Sequence, residues 1–207
     1  MTKPMIPSDG ELLRLMTAGD EEAFGALYRR YQRRVFRFAL LMSGCPATAD
    51  DVTQEVFLAL LREPNQYDSS RGALLTYLYG IARKQVLRAL ERNRTFTQLA
   101  DETDEDEPAP IRLLISQDNP LIKLTRSEVA AAVRQAVLAL PARYREVVVL
   151  CDFEEMSYAE AAEALDCSVG TISSRLNRAR ALLAKRLRAG GRVGHASLDS
   201  GQRRCLA

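Results

Sequence analysis

The 207-residue chain has one histidine, His195, and four cysteines, Cys45, Cys151, Cys167 and Cys205, which stand far apart with no CxxC pair. Without clustered soft ligands no metal-binding spacing can be assembled. A lone histidine near the C-terminus cannot complete a Ser/His/Asp or Cys/His set, and no Gly-rich phosphate loop is present. No metal, no cofactor, no small-molecule substrate and no enzymatic activity are therefore expected. The longest unbroken apolar run covers only residues 56 to 61, far short of the ~20 residues that span a bilayer. The N-terminal MTKPMIPSDG also lacks the apolar stretch of a secretory signal. The expectation is a cytoplasmic protein with reduced thiols and no direct membrane insertion.

Apolar material is plentiful at 47%, with 27% charged and 6% aromatic residues, enough to build a core and too much for global disorder. Net charge is only +2, but it is unevenly spread. Residues 1 to 94 carry 14 basic and 11 acidic groups, residues 95 to 127 carry 3 and 7, residues 128 to 189 carry 9 and 8, and residues 190 to 207 carry 3 and 1. An acidic middle thus separates two basic-leaning flanks.

Apolar residues recur at three- and four-residue spacing throughout, with no convincing alternating segment, so the fold class is all-α. Ser8 and Glu11 have capping-box spacing and open a short helix to about Ala18. A longer helix runs to about Ser43 on the stripe Phe24, Leu27, Tyr31, Val35, Phe38 and Met42, with Arg29, Arg30, Arg33, Arg34 and Arg37 on its other faces. Thr48 with Asp51 starts a third helix, which Pro64 closes. After the turn-rich NQYDSSRG a fourth runs to about Arg94. These four helices make a first domain over residues 1 to 94. Residues 95 to 127 read as an acidic linker around DETDEDEPAP, residues 128 to 189 as a second small bundle, and residues 190 to 207 as a disordered tail.

In the second bundle Ser157 and Glu160 form another capping box, residues 166 to 168 make a short turn, and a second helix follows. Val169, Ile172, Leu176, Ala179, Leu183 and Leu187 form its inner stripe, leaving Thr171, Ser174, Asn177 and Arg178 outward, with Arg175 and Arg180 at the flanks. Residues 168 to 188 hold six basic groups and no acid, which suits a phosphate-lined groove. The bland alternative is a basic surface helix with no ligand. In the first domain, residues 71 to 94 hold six basic groups against the single acid Glu91, with Tyr67, Tyr77 and Tyr79 nearby. Guanidinium groups with interleaved aromatics suit a partly single-stranded nucleic acid, although tyrosines at helical spacing also serve as core residues with a polar tip.

Three segments together resemble the sigma factors of bacterial RNA polymerase, of the small extracytoplasmic-function (ECF) type within the sigma-70 family. They are AFGALYRRYQRRVFRFAL, then DDVTQEVFLALL followed by LLTYLYGIARKQVLRALERNR, and LPARYREVVVLCDFEEMSYAEAAEALDCSVGTISSRLNRARALLAKRL. The resemblance implies a four-helix region 2-type domain and a helix-turn-helix region 4-type domain joined by the acidic linker. It implies core RNA polymerase, promoter DNA and an anti-sigma factor as partners, the last able to hold the chain at the inner face of the membrane. It assigns Asp50, Asp51, Gln54 and Glu55 to the clamp helices of the polymerase. Tyr67, Asp68, Ser69, Arg71, Tyr77, Arg83, Lys84 and Arg88 go to melting and reading the minus-ten element. Thr171, Ser174, Arg175, Asn177, Arg178 and Arg180 go to reading the minus-thirty-five element. The linker is either an RNA-like acidic thread toward the active site or a plain tether. Thr48 replaces the first acid of the clamp-binding helix, Tyr77 a Trp, and Ser173 a basic residue common in the family. A stand-alone helix-turn-helix regulator binding an operator as a dimer remains the alternative.

Overall fold

Polar caps and helix breakers set the element boundaries. The computed structural model describes residues 7–70, 72–98 and 122–199, and all regular structure among the described residues is helical. Ser8 opens α1 (Asp9–Thr17) by the reciprocal bonds its spacing predicts, Glu11 N–H to Ser8 Oγ and Ser8 N–H to the Glu11 carboxylate. α2 (Glu21–Ser43) starts at Asp20, whose carboxylate accepts from the N–H groups of Glu22 and Ala23 at 2.9 and 3.2 Å. It stops at Gly44, where the backbone turns left-handed at φ 72°. α3 (Pro46–Arg62) begins two residues before the expected Thr48, because Pro46 has a φ suited to a first turn and no N–H to leave unbonded. A 3₁₀ turn, Pro64–Gln66, leads through a loop to α4 (Leu74–Gln98), which runs four residues beyond the expected end at Arg94.

α2, α3 and α4 close around Leu27, Val35, Phe38, Met42, Val56, Leu60, Leu74, Leu78, Ala82 and Val86, all buried. Each larger aliphatic or aromatic side chain among them contributes about 1.5–3 kcal/mol of transfer free energy. Phe24 and Tyr31 of the predicted stripe are only partly buried. Tyr79 takes the core alternative: its ring is fully buried 5.1 Å from that of Phe38, so it is not a free stacking surface.

The second bundle comprises α5 (Ile122–Leu138), α6 (Ala142–Val148) after Pro141, α7 (Tyr158–Ala164) and α8 (Val169–Asp199). Between α6 and α7 the chain makes one π-helical turn, Val149–Phe153, where helical periodicity alone predicts a plain helix over residues 144 to 150. α8 carries two corrections. Of its predicted inner stripe, Ile172, Leu176 and Ala179 are fully buried, whereas Val169 and Leu187 are exposed: the first lies at the turn, the second beyond the reach of the bundle. The helix also continues to Asp199, past Gly190 and Gly191 where a fraying tail is expected. Once nucleated, each added residue brings one backbone bond. The acidic run at residues 101 to 107, Cys205 and the last eight residues lie outside the described residues.

The two bundles dock on one another. α4 packs against α7, and α2 packs against α5, α6 and the π turn. A Cβ built on Gly80 would lie 3.6 Å from the Ala164 carbonyl oxygen, so the backbones of α4 and α7 nearly touch.

Candidate nucleic-acid interface

The helix-turn-helix is tightly built. Ser157 Oγ accepts from Glu160 N–H at 3.2 Å while the Glu160 carboxylate accepts from Ser157 N–H at 2.8 Å. Ser157 Oγ also donates to that carboxylate at 2.7 Å, and the two bonds the carboxylate accepts hold Glu160 below its ordinary value, the hydroxyl's being the larger cause. The turn contains Asp166 at φ 50°, a conformation that Asp tolerates better than most residues. Ser168 then caps α8, its Oγ accepting from Thr171 N–H at 3.1 Å and sharing a hydrogen bond with Thr171 Oγ1 at 2.8 Å.

On α8 the residues Ser174, Asn177 and Arg178 are exposed as the wheel predicts, and Thr171 is half-buried at the cap. Ser174 Oγ is bonded back to the Thr171 carbonyl at 3.0 Å. Arg180 is exposed, but its guanidinium makes a two-pronged contact with Asp152 at 2.5 and 3.2 Å. Beside Arg178, the Arg143 guanidinium stacks 4.9 Å from the centre of the Tyr144 ring. Arg178 is the first cause of a lowered Tyr144 hydroxyl, with Arg143 adding to it. Sequence reasoning missed this cationic and aromatic pair at the edge of α8, although Arg143 and Tyr144 stand together in LPARYREVVVL.

In the first domain Tyr67 and Tyr77 stack at 5.7 Å with their planes tilted by 50°. Tyr67 Oη donates to the Gly72 carbonyl at 2.9 Å, fixing the loop onto the start of α4. Asp68 accepts from the N–H and hydroxyl of Ser70 at 2.8 and 2.7 Å, and Ser69 projects into solvent. Lys84 and Arg88 are exposed one turn apart on α4. Arg71 lies outside the described residues. Asp50, Asp51, Gln54 and Glu55 are all exposed on α3. The same face continues through Leu58 and Leu61, exposed at 39% and 42%, apolar residues that the sequence reading did not single out.

The remaining members of the predicted sets, Arg83 and Arg175, do not face solvent freely. They meet at Glu146, a carboxylate only 2% exposed: Arg83 Nε donates to one oxygen at 2.7 Å and Arg175 Nη1 to the other at 3.2 Å. A second buried carboxylate, Glu154, follows the π turn. It accepts from Arg37 Nε at 2.6 Å, Tyr79 Oη at 2.5 Å and Arg34 Nε at 3.4 Å. Arg34 and Arg37 also donate to the backbone carbonyls of Glu154 and Phe153, each at 3.2 Å. Burial and the bond to Glu154 push the Tyr79 hydroxyl far above its ordinary value, and the same carboxylate raises Arg37.

Family models match both halves of this architecture, sigma-70 region 2 over residues 27–96 and sigma-70 region 4 over residues 130–183. The ECF RNA polymerase sigma factor SigM of Mycobacterium tuberculosis is 33% identical over 182 residues, covering 87% of this chain and 85% of that protein. The chain belongs to the ECF sigma factors. The fold agrees: CnrH, solved in complex with the cytosolic domain of CnrY, superposes with a TM-score of 0.65 at 27% identity, over 88% of this chain and 99% of that one. The sigma factor RpoE of Bartonella quintana, solved with the anti-sigma factor NepR, shares the fold at 22% identity and a TM-score of 0.63, over 80% and 96% of the two chains. An ECF sigma factor directs promoter-specific transcription initiation, and the match to region 2 accounts for the first domain, which a stand-alone operator-binding regulator leaves unexplained.

Proposed function

We propose that this ECF sigma factor carries out initiation through three separate surfaces and without catalysis or cofactor of its own. The exposed face of α3, with Asp50, Asp51, Gln54 and Glu55 around Leu58 and Leu61, docks on core RNA polymerase. The loop and helix carrying Tyr67, Asp68, Ser69, Arg71, Tyr77, Arg83, Lys84 and Arg88 open and read the minus-ten element, where unstacked bases meet flat rings and phosphates meet cations. The α8 helix enters the major groove of the minus-thirty-five element with Thr171, Ser174, Arg175, Asn177, Arg178 and Arg180.

The observation that carries this reading is a capped helix-turn-helix whose second helix has no acid over residues 168 to 188 and exposes Ser174, Asn177 and Arg178 together. Among the described residues no group of three or more metal-ligating side chains occurs, and no helix is long and apolar enough to cross a membrane. An anti-sigma factor is the expected antagonist, since the similarly folded CnrH and RpoE were each solved with a bound partner, for RpoE named as an anti-sigma factor. Such a partner could hold the chain at the inner face of the membrane.

Run-off transcription from a pool of promoter fragments tests the proposal. Core polymerase with this chain should yield transcripts absent from core alone, and Arg178→Ala should reduce them about ten-fold by removing a base or phosphate contact of about 1–3 kcal/mol. No transcript and no complex with core would refute it.

A further inference from the structure

We propose that Tyr144 is a positioning residue for the minus-thirty-five element: its hydroxyl anchors the Arg178 guanidinium at the edge of α8 and so fixes the arginine that reads a guanine in the major groove. The inference deepens the function proposed above and rests on it. α6 packs against α8, which brings Tyr144, in the first turn of α6, beside Arg178. The Tyr144 ring is half-buried and packed against the core, so its own place is set. The Arg143 guanidinium stacks on that ring, 4.9 Å from its centre. The hydroxyl meets the Arg178 side chain, which is the first cause of its lowered pKa, and the Arg143 charge adds to the effect.

The three arginines assigned to the minus-thirty-five element are held in two different ways. Arg175 bonds to Glu146 and Arg180 to Asp152, so each carries a counter-charge. Arg178 is exposed and, among the described residues, pairs with no carboxylate. A phenol is neutral, so it orients a guanidinium without cancelling its charge. The nearby Arg143 charge repels that of Arg178 and disfavours its folding back onto α6.

Arginine has five N–H donors, and directing one at Tyr144 leaves a fork that matches O6 and N7 of guanine. An unanchored arginine on an exposed helix face loses rotamer freedom when it binds. An anchored one has lost much of it already, which favours the bidentate contact over looser ones. Ser174, one turn back on the same face, and the adjacent Asn177 are exposed with it, so the anchored fork lies within the patch assigned to base reading.

The test starts from a promoter recovered in the run-off experiment above, with its minus-thirty-five base pairs randomised and each template barcoded in its transcribed part. Full-length wild type, Arg178→Ala, Tyr144→Phe and the double variant each program core polymerase on that library, and the transcripts are sequenced. Phenylalanine keeps the ring, its packing and the Arg143 stack and removes only the hydroxyl, so its melting temperature should match that of wild type. Wild type should favour guanine at one base pair about ten-fold, and Arg178→Ala should lose that preference. Tyr144→Phe should reduce it to about three-fold at the same base pair and at no other. The double variant should match Arg178→Ala, because the hydroxyl acts only through that arginine. An unchanged guanine preference in Tyr144→Phe, a fall in transcription spread evenly over all sequences, or a preference that Arg178→Ala leaves intact overturns the proposal while the sigma factor reading stands. If wild type programs no transcription with core, the functional reading fails and the positioning role falls with it.

Discussion

Removing the buried cation Arg145 should cost the protein about 3 kcal/mol, and most of that loss should come from hydrogen bonds and not from packing. Arg145 is 9% exposed. Its guanidinium donates to the carbonyls of Met42, Leu138 and Leu140, the last at 3.0 Å, while its Nε has no partner. Burial alone lowers its pKa. One side chain thus ties the end of α2 to the end of α5 and the following turn. Bonds from a charged donor contribute about 1.5–3 kcal/mol each, so three supply about 4.5–9 kcal/mol, against a guanidinium desolvation cost of several kcal/mol. The balance is a few kcal/mol, which for a chain of this length lowers the melting temperature by about 6–12 °C. The diagnostic comparison is Arg145→Ala with Arg145→Met, measured by urea unfolding followed by circular dichroism. Methionine restores most of the apolar stem but no donor, leaving three inward-facing carbonyls without it. If the bonds dominate, the two variants fall together. A methionine variant within about 0.5 kcal/mol of wild type would refute the reasoning, because the stem alone would then account for the residue.

Ser157→Ala should destabilise the helix-turn-helix by about 1 kcal/mol at neutral pH. Glu160 titrates below its ordinary value when folded, so its stabilising effect is present above about pH 4.5 and is lost as pH falls through the folded value; melts of wild type and variant should converge there. At alkaline pH Tyr31 is the reporter. Burial first, and the bond it donates to Asp9 second, push its hydroxyl to about 12, so the native state holds a proton that the unfolded chain releases near 10. The stabilisation is complete below pH 10 and disappears between pH 10 and 12, and Tyr31→Phe should lack that slope in pH-dependent melts. Leu58→Asp should leave thermal stability within about 0.5 kcal/mol, because the side chain is already 39% exposed, yet abolish complex formation with core polymerase in gel filtration while retaining duplex binding.

The helices and their starts were legible because each is announced by local chemistry. Ser8 with Glu11, and Ser157 with Glu160, signal caps within four residues, and both boxes form. The core stripe of α2 follows from spacing alone. The sequence left Tyr79 open between stacking surface and core because a tyrosine in a basic helix has the same local signature whether its ring faces solvent or Phe38. Glu146 and Glu154 were invisible as site residues for a stronger reason. Their partners lie 29 to 120 positions away, and a π turn that no 3.6-residue period anticipates comes just before Glu154. The extension of α8 to Asp199 runs against the helix-breaking tendency of Gly190 and Gly191, which a propensity reading weighs too heavily once twenty-one residues of helix precede them.

The chemistry of the seam between bundles bears on whether it can open. Hydrophobic surfaces of this size, once joined, expose apolar area to water on parting and tend to stay closed. Here Arg34, Arg37, Arg83 and the Tyr79 hydroxyl of the first bundle meet two carboxylates of the second across the seam, and on opening each regains hydration that docking had removed. The Coulombic attraction lost is therefore largely offset, and the net cost of separation stays small even though each pair is close and well aligned. Replacing both glutamates and their facing arginines by well-packed apolar residues should accordingly make the closed form more stable, not less. An interface built on Glu146 and Glu154 therefore defines one docked geometry while costing little to open.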